Sequence, residues 1–73
     1  MSKITWSAKN NSSFLNGSRD ASCIRAAVIA GRQYIRGELY GEGVLTIYDD
    51  GYPVRQDECS IQTGFRWETR TDF

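Results

Sequence analysis

Apolar and polar residues alternate through residues 3–9, KITWSAK, with Ile4, Trp6 and Ala8 on one side and Lys3, Thr5, Ser7 and Lys9 on the other. A period of two marks a strand with one buried face. The run NNSSFLNGSRD that follows is rich in turn formers and reads as a polar loop pinned by Phe14 and Leu15, with Asn16-Gly17 as a tight turn. The period then becomes helical: at about 100° per residue, Ala21, Ile24, Val28, Gly31 and Ile35 share one side. That stripe is expected to face the core, with Cys23 toward its buried side. Ser18 or Asp20 is expected to cap the first turn, and Gly37 to end the helix. Gly31 lowers helix stability by about 1 kcal/mol relative to Ala, and a close approach to the sheet is the expected compensation.

Residues 37–43, GELYGEG, have the glycines of a phosphate loop in the wrong order. They follow a helix and precede a strand, so no helix start faces an anion, and the segment reads as a flexible connection. Val44 to Asp49 is the first arm of a hairpin, and Asp50-Gly51 supplies the positive φ angles of a two-residue turn. Pro53 has no backbone donor, which predicts an edge position or a bulge in the returning strand. The last segment, SIQTGFRWETR, is expected as a strand with Ile61, Thr63, Phe65 and Trp67 on one face. The pattern predicts an α+β fold, a single helix packed on a three- to four-stranded, mainly antiparallel sheet in the order β-α-β-β-β. It forms one small domain, 1–73, with residues 1–2 and 71–73 frayed.

With 73 residues the core is small, and a domain of this size buries only about 60% of its unfolded surface. No apolar run approaches the roughly 18 residues of a membrane span, and the amino terminus lacks the apolar segment of a secretory signal, so a cytoplasmic location is expected. In that setting Cys23 and Cys59 are expected as two reduced thiols. Histidine is absent, which removes His-ligated metal sites, Ser-His and Cys-His nucleophile pairs and imidazole bases from what this chain alone can build. Asp49 and Asp50 are accounted for by turn chemistry, and Asp57-Glu58 and Glu38/Glu42 read as solvated carboxylates. Neither an enzyme nor a cofactor is expected.

Charge changes the picture more. The formal net charge is zero, yet residues 1–37 hold six basic residues against Asp20 alone, and residues 38–73 hold three against eight acidic ones, a split of +5 and −5. Arg25, Arg32 and Arg36 fall within about 40° of one another on the helix, with Ile29 among them. An apolar anchor ringed by arginines is how protein interfaces are built. The candidate partner-binding residues are therefore Lys3, Lys9, Arg19, Arg25, Ile29, Arg32 and Arg36, facing an acidic protein surface, unless the acidic half of the chain neutralises them. Direct nucleic-acid binding is the second reading, with the arginines and Lys3 or Lys9 on phosphates and Trp6, Tyr40 or Trp67 stacked on bases. Against it, the acidic half repels a phosphate backbone.

In scale, charge split and layout, carried by KITWSAK, RDASCIRAAVIAGRQYI and GVLTIYDDGYPVRQ, the chain resembles the small bacteriophage-encoded host-takeover proteins that bind and inhibit bacterial RNA polymerase, and also some anti-CRISPR proteins. The resemblance involves no diagnostic motif and carries over no site residues. It implies a non-enzymatic inhibitor or modulator that occupies a surface of a host nucleic-acid machine. Dodecin-type flavin binders share a similar layout and end in a strand like SIQTGFRWE, which implies an oligomeric small-ligand binder as the runner-up. Their helix leads more directly into the next strand.

Overall fold

A computed structural model describes residues 3–10 and 18–73. The elements are β1 (Ile4–Lys9), β2 (Arg19–Ala21), α1 (Ile24–Glu38), β3 (Gly43–Asp49), β4 (Tyr52–Cys59) and β5 (Glu68–Arg70). The strands form one antiparallel sheet in the order β2-β1-β3-β4-β5, and α1 lies over β1 and β3 on one face. The α+β class holds, with five strands rather than three to four. The added strand, β2, is three residues long, too short and polar to show an alternation. The expected turn at Asn16-Gly17 and the Phe14/Leu15 pin lie outside the described residues.

Ile4, Trp6 and Ala8 of β1 and Leu45 and Ile47 of β3 point at the helix, as their alternation requires, and meet Ala27, Ile35 and Leu39 in the core. Gly31 and Ile35 lie on the buried side as expected, but the stripe is rotated toward Ala27. Its buried line is Ala27, Gly31 and Ile35, with Val28, Ala30 and Tyr34 on the flanks, while Ile24 is partly exposed at the first turn. Gly31 lets α1 sit close to the sheet, as expected: a Cβ there would overlap the Leu45 side chain. Cys23, expected on the buried side, is exposed and takes the capping role given to Ser18 or Asp20, its Sγ accepting from Ala26 N–H at 3.4 Å. That bond holds the Cys23 thiol below its ordinary pKa.

The helix passes Gly37 and stops at Glu38, where Leu39 and Gly41 N–H groups both bond the Ile35 carbonyl. The following connection is a tight turn rather than a loose linker, since Glu42 N–H also bonds the Leu39 carbonyl. The β3–β4 hairpin turns on Asp50 (φ 52°) and Gly51 (φ 87°), and the register shifts opposite Pro53–Arg55, the bulge that Pro53 foreshadowed. The expected long final strand is not formed. After Cys59 the chain turns through residues 60–64, and only Glu68–Arg70 pairs with β4.

Candidate interaction surface

The seven predicted binding residues do not gather into one patch. Lys3 and Lys9 alternate with the buried residues of β1 and so lie on the sheet face away from the helix, at opposite ends of the strand. Lys3 forms an exposed ion pair with Asp20 at 3.8 Å, and its N–H bonds the Asp50 carboxylate at 2.7 Å. Arg19 is on the helix side of β2, its guanidinium 5.9 Å from the Trp6 ring and 5.7 Å from the Tyr34 ring. These contacts cover the edge of the core with a cation held on aromatic faces.

Arg32 is also withdrawn from the stripe. Its Nε donates to Asp57 Oδ2 at 3.0 Å, and its guanidinium lies 4.7 Å over the Trp67 ring. Arg55 Nε donates to Asp57 Oδ1 at 3.1 Å, and Thr69 Oγ1 donates to the same oxygen at 2.9 Å. Asp57 is 0% exposed, which corrects its reading as a solvated carboxylate. Burial alone pushes its carboxyl pKa up, but the hydrogen bonds from Arg55 and Thr69, the charge of Arg55 and the hydrogen bond from Arg32 outweigh that and hold it below the ordinary range. The cluster ties α1 and β5 to β4. The acidic half thus neutralises one arginine of the stripe.

What remains on the outer face of α1 is Arg25, Ile29 and Arg36, spaced so that all three project from the side opposite Gly31. Ile29 is 50% exposed, and neither arginine forms an ion pair among the described residues. Nothing in the core needs them. They are a short basic ridge with an apolar centre.

A second feature was not foreseen. The β4–β5 loop is braced by Thr63, whose Oγ1 lies 3.0 Å from the Ser60 N–H and 2.7 Å from the Arg66 carbonyl, and by Phe65 N–H on the Ser60 carbonyl at 2.8 Å. Ile61 and Phe65, expected on one face of a strand with Thr63 and Trp67, stand out from this loop at 73% and 60% exposure. Beside the loop is a cleft of about 290 Å³ lined by Lys9, Glu42, Val44, Glu58 and Ile61 among others. Phe65 adopts φ 59°, a left-handed conformation that a bulky residue rarely holds. Ser60 and Thr63-Gly64, turn formers inside an apparent period of two, were the available signal.

No helix among the described residues is long and apolar enough to cross a membrane. Comparison with protein-family models, with curated proteins and with solved structures returns no match.

Proposed function

We propose that this chain is a non-enzymatic protein-binding inhibitor or modulator that docks an acidic surface of a nucleic-acid machine through the outer face of α1, with bacterial RNA polymerase as the first partner to test. The observation that carries the reading is Ile29, half exposed between Arg25 and Arg36, two cations without an ion-pair partner among the described residues. Exposed charge of this kind speeds encounter with an opposite surface, and an apolar centre supplies burial once contact is made. The choice of polymerase rests on the resemblance in scale, layout and charge split to the phage proteins described above. A cytoplasmic site of action belongs to the same proposal.

The test is equilibrium binding of the full chain to purified bacterial RNA polymerase at low and high salt. Binding that weakens as salt rises is expected, because the ridge is exposed and screened. Absence of binding at both salts refutes the polymerase assignment. Binding to duplex DNA alone, with none to the polymerase, replaces it with the nucleic-acid reading.

A further inference from the structure

The chain carries both halves of an interface on opposite sides of its fold. Asp57 and Thr69 face α1, so their neighbours Glu58 and Glu68 lie on the open face of the sheet, directly opposite each other across β4 and β5. Like charges so placed repel. Glu58 also lines the cleft with Glu42, Val44 and Ile61. Lys9 lines the cleft and offsets part of the charge, Arg66 lies in the chain between the loop and β5, and Arg70, next to Glu68 on the same sheet face, is paired with Asp72 at 2.8 Å. Among the described residues no group of three acidic or thiol side chains is arranged to hold a metal ion. A cationic side chain is the natural complement.

The apolar groups at the same end are held out to solvent. Ile61 and Phe65 project from the braced loop, and Tyr40, 91% exposed at φ 58°, stands in the turn that leads to Glu42. Two aromatic residues occupy backbone positions where glycine would be less strained, and strain of this kind collects where a surface is used. The end therefore presents apolar side chains around net negative charge. The outer face of α1 presents the reverse, Ile29 between Arg25 and Arg36.

We infer that the acidic cleft end of one copy receives the α1 ridge of a second copy, giving a head-to-tail association. The two patches lie on opposite sides of the two-layer fold, so they cannot meet within one chain or engage twice in a closed two-fold dimer. This inference rests on the same basic ridge as the proposed function, and self-association then competes with partner binding. The interface is small and its charges are exposed, so the association is weak and salt-sensitive.

Sedimentation of the full chain tests it. At about 1 mM protein and low salt, where a contact worth roughly 4 kcal/mol is populated, the weight-average mass should exceed 8.3 kDa, and it should return to the monomer value in 1 M salt. Arg25→Gln with Arg36→Gln removes the charge of the ridge, and Glu42→Lys with Glu58→Lys reverses that of the cleft, so the two altered surfaces do not attract each other. Each variant alone should stay monomeric. Mixed in equal amounts, they should form a dimer that grows no further, because one intact ridge meets one intact cleft, and this outcome also shows that both variants are folded. A monomeric wild-type chain, variants that still associate alone, or a mixture that stays monomeric overturns the inference. The cleft variant keeps its ridge, so its binding to RNA polymerase reads the proposed function separately.

Discussion

Asp57 is the residue on which most of the tertiary wiring converges. Its carboxylate has lost its water and gained Arg32, Arg55 and Thr69. Asp57→Ala leaves two guanidinium groups facing each other without a counter-charge, and removing one partner of a buried ion pair costs about 3–5 kcal/mol. Because both arginines keep about 30% of their side-chain surface, the loss belongs near the lower end of that range, still most of the stability of so small a domain. The pH dependence has a definite sign. The folded-state pKa of Asp57 is depressed, so its stabilisation is complete above the unfolded value of about 3.9 and is lost as pH falls through the lower folded value. The urea midpoint of the wild type is expected to fall in that acid window, and Asp57→Asn to remove part of the slope. A slope unchanged by Asp57→Asn contradicts the assignment.

Phe65 makes a separate prediction at the same scale. Its left-handed backbone costs roughly 1–2 kcal/mol, more than the 0.5–1 kcal/mol of entropy that a glycine loses there on folding. Phe65→Gly is therefore expected to raise the thermal midpoint slightly, and a clear drop would show that the ring serves the fold rather than the surface.

At the scale of elements, Gly31 sets α1 against the sheet. Alanine at this position gains about 1 kcal/mol of helix propensity, but its methyl group would overlap the side chain of Leu45, which is fully buried. Overpacking of this kind costs about 1–3 kcal/mol, so Gly31→Ala is expected to lower the urea midpoint, and a rise would mean that helix and sheet can separate. Elements set by local chemistry were legible in the sequence. β1 followed from its alternation, the β3–β4 hairpin from Asp50-Gly51, and the bulge from Pro53. The phase of α1 was not, because Ala27 and Ala30 carry little hydrophobic signal, and only the short distance to β3 puts them on the inner side. β5 was misjudged because Ile61, Thr63, Phe65 and Trp67 mimic a period of two through a turn. The Asp57 cluster was invisible because two of its three partners, Arg32 and Thr69, are 25 and 12 residues away, and nothing local distinguishes a carboxylate that will be buried from one that will not.

At the scale of the molecule, the opposed halves of the sequence are only partly reconciled by folding. Arg32 joins Asp57 and Lys3 joins Asp20, while Arg19 turns to aromatic rings. Arg25 and Arg36 remain on one side of the fold and Glu42, Glu58 and Glu68 at the other, so the dipole written into the chain survives as two surfaces. The α1 ridge was half legible: the sequence placed Arg25, Ile29 and Arg36 on one line, but could not show that Arg32 leaves it. If this ridge is free of folding duties, changing it should leave stability alone, since surface substitutions away from special features stay within about 0.5 kcal/mol. The most direct measurement is the binding of Arg25→Glu/Ile29→Ser/Arg36→Glu to purified bacterial RNA polymerase beside the wild type, with the thermal midpoint of each recorded. An unchanged midpoint is expected, with affinity lowered by at least about tenfold, equivalent to roughly 1.4 kcal/mol. Equal affinity for the two chains would overturn the assignment of the α1 ridge as the docking surface.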